Sequence, residues 1–116
     1  MRQPIEITRG RSYDIALEVT DENGNGYALS GSEVILFGIK KSPEKEATPI
    51  FCRAAVAGSE AGSYTVSIHP EDTIDLAPGR YYYDVGLESG GEYYDIIKPS
   101  AFMLEANVTK KGDAYD

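Results

Sequence analysis

The sharpest chemical pattern in the sequence is a run of oxygen-bearing side chains that matches the opening of a calcium-binding loop. Asp21, Asn23 and Asn25, with the glycine that follows, fit the first six positions of D-x-[DN]-x-[DN]-G-x₅-E. The bidentate glutamate belongs at position twelve, where this chain has Ser32 and places Glu33 one residue late. Asn-Gly pairs between alternating segments also favour hairpin turns. We therefore predict a turn here and no metal site.

The single histidine and the single cysteine are the other candidates for chemistry. His69 is expected to point outward at the end of a strand, beside Glu71, Asp72 and Asp75, which favours a solvated turn with acidic residues at a helix start. Cys52 has the parity of the apolar residues in its strand, which predicts a small buried hydrophobe. One histidine and one cysteine make a zinc site improbable.

Catalytic equipment is absent from the sequence. There is no Gly-x-Ser-x-Gly nucleophile elbow and no glycine-rich phosphate loop of either common type. No nucleophile stands with a general base in any known arrangement. We predict a protein that is not an enzyme, with no catalytic residue, no cofactor and no metal.

Composition and charge exclude further classes of protein. The chain has 116 residues, within the range of one domain, and its 11 Lys and Arg against 19 Asp and Glu give a net charge of −8. Nucleic-acid binding is disfavoured because phosphate contacts need clustered basic residues. No apolar run is long enough for membrane insertion, and no signal peptide is seen. One cysteine excludes an internal disulfide.

Apolar residues recur with a period of two through most of the chain, which is typical of strands with one buried face. Short turn signals rich in Gly, Pro, Asn and Ser, including Ser42 to Lys45, separate these segments. They predict an all-β, immunoglobulin-like antiparallel β-sandwich of seven to nine strands, with at most one short helical turn near residues 70–76. The alternating sets are Ile5 and Ile7, Tyr13 to Val19, Ile35 to Ile39, Ile50 to Val56, Tyr64 to Ile68, Tyr81 to Leu87, and Phe102 to Val108.

The same parity predicts the domain limits and the core. Residues 1–116 are expected to form a single domain with a structured part over residues 4–109 and a frayed tail over residues 110–116. The predicted core contains eleven side chains, which are Ile15, Leu17, Val19, Phe37, Ile39, Val66, Ile68, Tyr83, Val85, Phe102 and Leu104.

One strand is apolar on both parities, which predicts an interaction surface. Beside the inward set, Val34 and Leu36 would face outward, where a strand with one wet face carries polar residues. In an immunoglobulin-like fold this strand lies in the same sheet as the tyrosine-rich segments. An outer face of Leu and Tyr resembles the core of a protein interface. Glycines on the same face would leave it flat, so that a partner could approach closely. The predicted interface residues are Leu36, Gly38, Tyr82, Gly86 and, according to register, Tyr93 or Tyr94. The alternative is that the Ser42–Pro49 loop or the C-terminal segment covers this face.

Several turn and strand segments, taken in order, resemble a known family. The main one is the Pro-Gly turn with the three tyrosines that follow it, Leu76 to Val85. Three further segments contribute to the resemblance, which are Arg9-Gly10, Lys40 to Pro43, and Ile68 to Thr73. Over residues 4–109 the chain resembles the immunoglobulin-like N-terminal domain of baseplate upper proteins from phages and prophages of Gram-positive bacteria. The chain stops where such proteins continue, and it lacks the Trp and the cysteine pair of antibody-type domains.

The resemblance implies a structural protein, made in the bacterial cytoplasm, that helps to build a virion tail or baseplate. It implies no active site; its partners would be other tail or baseplate subunits, and it allows a homo-oligomer. The segment from Asp75 to Tyr81 could form something like a tyrosine corner, although its spacing is not a clean match. The alternative function is a bacterial immunoglobulin-like surface adhesion or carbohydrate-binding module, with exposed tyrosines as the sugar platform. A small enzyme is the third and weakest hypothesis.

Overall fold

The computed structural model describes residues 4–42 and 49–109. Most of the predicted Ser42–Lys45 turn and the whole of the predicted frayed tail lie outside these residues. Within them the chain forms eight strands and one helical turn. The elements are β1 (Ile5–Thr8), β2 (Tyr13–Glu18), β3 (Val34–Lys40), β4 (Phe51–Ala54), β5 (Val56–Ala57), β6 (Ser63–Ile68), α1 (Pro70–Thr73), β7 (Gly79–Ser89) and β8 (Glu92–Glu105).

The strands form two sheets, which confirms the predicted all-β sandwich. One sheet has five strands in the order β1-β8-β7-β3-β4, and the other has three in the order β2-β6-β5. This is the arrangement of an immunoglobulin-type sandwich in which β3, β7 and β8 form the C-F-G side. One pairing departs from the predicted antiparallel pattern, because β1 runs parallel to β8. Parallel neighbours need a crossover, and here almost the whole chain lies between the two strands.

The core between the sheets contains the side chains that alternation predicted. Ten of the eleven predicted core residues are buried, and the eleventh, Ile15, is partly buried and packs against the others. At its centre the ring of Phe37 stacks on that of Tyr83, with 5.4 Å between the ring centroids. Tyr83 in turn meets Phe102 edge to face. Aromatic contacts of this kind add to the stabilisation from burial alone.

A tyrosine corner closes the sandwich beside α1, as the segment before β7 suggested. The hydroxyl of buried Tyr81 donates a hydrogen bond of 2.7 Å to the carbonyl oxygen of Ala77, four residues earlier. The helical turn is held from the other side, since the backbone N–H of Gly10 donates to the Thr73 hydroxyl over 2.8 Å. The short helix predicted near residues 70–76 is therefore confirmed and belongs to the corner between the two sheets.

Alternation was misleading in the segment from Ile50 to Val56. A single strand with Ile50, Cys52, Ala54 and Val56 inward was predicted; instead β4 and β5 belong to different sheets and all four residues are exposed. The pairing of Cys52 with Gly38 places the thiol outside, so the prediction of a buried cysteine was wrong. The physical reason is that the opposite parity carries the larger inward groups, with Phe51 packed on the core.

The last predicted strand, from Phe102 to Val108, extended too far at its C-terminal end and is the last part of the longer strand β8. Strand β8 ends at Glu105, and Val108, expected to continue the alternating set, is 98% exposed. Beyond β8 the chain is instead tied to the start of the domain, because Arg9 donates from Nε to the Asn107 side chain over 2.8 Å. A side-chain contact of this kind leaves no trace in the alternation of apolar residues.

Candidate docking face

The face of the five-stranded sheet that points away from the core is built from alternate residues of β3, β7 and β8, and we call it the outer face. The register of β3 against β7 places Leu36 opposite Gly86 and Lys40 opposite Tyr82. Leu36 and Tyr82 therefore share this face, in agreement with the prediction from parity, and both are half-buried. Val34, on the same face, is 37% exposed.

A two-residue turn decides which of the neighbouring tyrosines joins the outer face. Gly90 and Gly91 connect β7 to β8, and both have positive φ, as tight hairpin turns require. The resulting register puts Tyr93 opposite Glu88 on the outer face and Tyr94 opposite Leu87 on the other side. The prediction left both tyrosines open, although a Gly-Gly pair between two strands is a signal that could have chosen between them.

The two glycines of the outer face, Gly38 and Gly86, were predicted to leave it low and open. Tyr93 changes this at one of them. A side chain at Gly86 would overlap the phenol ring of Tyr93, so Gly86 is buried under that ring. The prediction that Gly86 leaves the face low and open was therefore wrong. Gly38 does remain low, with Cys52 beside it, since a β-carbon there would lie 3.2 Å from the Cys52 sulfur.

A cleft opens in the outer face above Gly38. Its volume is about 220 Å³, and its walls include Cys52, Tyr82, Asp84 and Tyr93. This volume is below the ~300–1,000 Å³ that small-molecule and cofactor sites usually enclose. The cleft suits a single side chain better than a cofactor.

The carboxyl group of Asp84 in this cleft lies near a second carboxylate, Asp95, and near Lys40, which also lines the cleft. Burial raises the pKa of Asp84, and the nearby carboxylate of Asp95 raises it further, while Lys40 acts in the opposite direction. Burial likewise raises the pKa of the Tyr93 hydroxyl, with Asp84 as a second cause. A further cation beside Asp84 would act in the same direction as Lys40 and stabilise the carboxylate.

The outward face of the three-stranded sheet has a different chemical character. Ser63 and Ser67 of β6 face outward there, opposite Glu18 and Asp14 of β2, and Thr65 lies between Ala16 and Val56. The hydroxyl of Ser67 donates to Asp14 over 2.9 Å, and that of Ser63 donates to Glu18 over 3.3 Å. These hydroxyl and carboxylate groups satisfy one another and water. Val56 of β5 is exposed beside them, at 69%, whereas the apolar and aromatic side chains of the outer face lie together on three adjacent strands.

The calcium-like loop has a structural role in the structure. One carboxylate oxygen of Asp21 accepts hydrogen bonds from the backbone N–H groups of Asn23 and Asn25, at 2.9 and 3.0 Å. Glu33 lies apart from that loop, bound to the Tyr27 hydroxyl and to the backbone N–H of Ser30. The Ser30 N–H, followed by the Tyr27 hydroxyl, lowers the pKa of Glu33 below its usual value.

We expect no tight calcium binding at this loop, because Ser32 occupies the position of the bidentate acid and Glu33 is engaged elsewhere. Isothermal titration calorimetry with calcium should show no binding at micromolar strength. Micromolar binding that is lost in Asp21→Ala would contradict this expectation.

The acidic residues around α1 are not uniformly solvated. His69, Glu71 and Asp75 are exposed, as predicted. Asp72 differs, since its side chain is only 13% exposed and both of its oxygens bind the guanidinium of Arg53, at 2.5 and 3.0 Å. Arg53 also donates to the carbonyl oxygen of Ser67, so the pair ties β4 to β6 and α1. The prediction of a solvated carboxylate at Asp72 was wrong, because Arg53 of β4 reaches it.

The described residues include neither a candidate metal centre nor a membrane-spanning helix. Over residues 4–42 and 49–109, no three His, Cys, Asp or Glu side chains are placed to hold a metal ion together. None of the helices described is long and apolar enough to cross a membrane.

Comparisons with known proteins find similarity in fold alone. No protein-family model and no curated protein sequence matches the chain. The N-terminal domain of phage TP901-1 ORF48 is similar, with a TM-score of 0.47 and 14% identity over 89% of this chain and 85% of that one. An uncharacterized protein from Bacillus anthracis str. Ames has a TM-score of 0.43 and 12% identity over 89% and 77% of the two chains. The ZIG-8–RIG-5 IG1–IG1 heterodimer has a TM-score of 0.37 and 7% identity over 92% and 83%.

Proposed function

We propose that this chain is a non-enzymatic structural protein of a phage or prophage tail or baseplate, and that its outer face docks another protein of the same assembly. The observation that carries the docking role is the difference between the two sheets. The outer face presents Val34, Leu36 and the tyrosine rings on adjacent strands, whereas the opposite face presents paired hydroxyl and carboxylate groups with Val56 exposed beside them. A surface that mixes Leu and Tyr is typical of an interface core.

The assignment to a tail rests on the residues and turns that resemble baseplate upper proteins. Those segments span residues 4–109 and include the Pro-Gly turn that leads into the tyrosine corner at Tyr81. In this proposal the chain is made in the bacterial cytoplasm and becomes part of the virion. It has no catalytic residue and acts through its surface.

The alternative of a sugar-binding module is less well supported by the arrangement of the tyrosines. A sugar platform of this kind needs rings that lie together on one surface. Tyr93 and Tyr94 are 53% and 56% exposed, but successive residues of a strand point to opposite sides. Their two rings therefore do not form one platform, and Tyr82, which shares the outer face with Tyr93, is half-buried.

The docking role can be tested with a pair of matched double variants. Leu36→Asp with Tyr82→Asp adds two charges to the outer face, where desolvating them would oppose binding. Ala16→Asp with Val56→Asp adds the same two charges to exposed positions of the opposite sheet. Each variant is co-expressed with the proteins encoded beside this gene, and copurified complexes are analysed by size-exclusion chromatography and ultracentrifugation.

We expect the outer-face variant to fold and to lose the complex, or the self-association, that the opposite-sheet variant keeps. Circular dichroism and a thermal melt establish folding in both. Equal binding by the two folded variants would place the interface elsewhere. Unfolding of the outer-face variant alone would mean that this face is internal core.

A further inference from the structure

The cleft in the outer face combines a carboxylate, aromatic rings and a small volume. Asp84 lies at the level of Gly38 in the neighbouring strand, and Tyr93 closes one side over Gly86. Strand β8 is irregular at this point, with register shifts on both sides of Val85. No residue of β8 is paired with Asp84, and its side chain lines the cleft.

The chemistry of this cleft suits a positively charged side chain that enters from another protein. A carboxylate and a guanidinium form short, charge-assisted hydrogen bonds. The face of a tyrosine attracts a cation, and the apolar stem of Arg or Lys can lie along Tyr82. Arginine fits better than lysine because its planar group can bond a carboxylate and stack on a ring together.

The charges around the cleft favour a basic partner over a second copy of this chain. Among the described residues, Asp84, Glu88 and Asp95 lie on or beside it on β7 and β8, and Lys40 is the lysine that lines it. Lys40 lowers the pKa of Asp84, but burial and Asp95 outweigh it. The whole chain carries a net charge of −8, so two copies would repel each other across this face.

The geometry points to a cation-binding subsite on the outer face, in which Asp84 and Tyr93 receive an arginine side chain from a basic segment of the docking partner. This inference rests on the docking role proposed above and adds the chemistry of the partner. The subsite would set the orientation of the partner, while the apolar residues around Leu36 supply most of the buried area.

The subsite can be tested without knowing the partner. The probe is N-acetyl-arginine amide, and its neutral comparison is N-acetyl-citrulline amide, which has nearly the same shape. Titration into the labelled protein is followed by the backbone amide signals of Gly38, Asp84 and Gly86. We expect binding with a dissociation constant on the order of 1 mM that weakens with added salt. Citrulline binding and the Asp84→Asn variant should each be weaker by about tenfold.

Two controls keep the outcome clear. Asp14→Asn removes a carboxylate from the opposite sheet and should leave arginine binding unchanged. Arginine that binds no better than citrulline to the wild type would overturn the inference, and so would equal binding by Asp84→Asn. Self-association through this face that Asp84→Asn leaves unchanged would also overturn it, because the occupant would be a second copy.

The subsite and the docking role can fail separately. Leu36 lies outside the walls of the cleft, so Leu36→Asp should abolish docking without weakening arginine binding. Docking that is lost in Leu36→Asp while arginine never binds would refute the subsite alone. If arginine binding depends on Asp84 but the Leu36→Asp variant docks as well as the wild type, the docking role alone is refuted.

Discussion

Phe37→Ala is expected to lower the free energy of unfolding by about 2–4 kcal/mol. The side chain is fully buried at the centre of the five-stranded sheet, where it packs on Tyr83 and Phe51. Its removal takes away apolar burial and two ring contacts, and strands on both sides hold the cavity open. Val85→Ala, at the paired position on β7, should also be destabilising because Val85 is fully buried. Urea denaturation of each variant measures the effect.

Val34→Ala is the matched control, since Val34 lies on the same strand with 37% of its surface exposed. We expect this control to change stability by less than about 1 kcal/mol, because most surface substitutions have small effects. Near-zero costs at both Phe37 and Val85 would mean that the inward and outward faces of this sheet are reversed.

Arg53→Ala is expected to cost about 2 kcal/mol, because it leaves the carboxylate of Asp72 mostly buried and without its main partner. The guanidinium also lies over the Phe51 ring, 5.2 Å from its centroid, and that packing would be lost. Arg53→Lys should recover only part of the stability, since an ammonium cannot bond both carboxylate oxygens in the same planar geometry. Chemical denaturation at neutral pH measures the series.

The same pair predicts how stability depends on pH. Hydrogen bonds from Arg53, and secondarily the backbone N–H of His69, lower the pKa of Asp72 in the folded state. A lowered folded pKa means that this stabilisation is present above the unfolded value of ~3.9 and is lost as pH falls through the folded value. The stability of Asp72→Asn should therefore approach that of the wild type as pH falls below about 4.

Asp75→Asn provides the control for that titration, because Asp75 is exposed and lies on the same corner. Its stability difference from the wild type should stay small across the same range of pH. A difference between Asp72→Asn and the wild type that does not change between neutral and acidic pH would contradict the assigned role of the ion pair.

Alternation of apolar residues predicted most of this fold because each long strand has one face in the core. Residues such as Phe37, Val66 and Phe102 have the parity that the sheets require, and they are fully buried. Alternation predicted the wrong inward side for β4, an edge strand whose inward positions are Phe51 and Arg53. An arginine that points inward to reach the carboxylate of Asp72 on α1 cannot be recognised from hydropathy.

The candidate site was predictable in part for the same reason. Parity placed Leu36 and Tyr82 on one face, but it did not choose between Tyr93 and Tyr94. That choice depends on the two-residue turn at Gly90 and Gly91, and the cover that Tyr93 gives to Gly86 depends on a diagonal contact across the sheet. Asp84 was not predicted as a site residue, because its setting arises from the irregular pairing of β7 with β8.

The thiol of Cys52 offers the most direct test of the docking face, because it is exposed beside Gly38 on that face. Its alkylation rate is measured in the free protein and in the copurified complex. The comparison is Ala16→Cys combined with Cys52→Ser, which moves the thiol to the opposite sheet. A docked outer face predicts that the partner slows alkylation of Cys52 by about tenfold or more and leaves the thiol at position 16 unaffected. Protection at position 16 with Cys52 still reacting at its free rate would contradict the account.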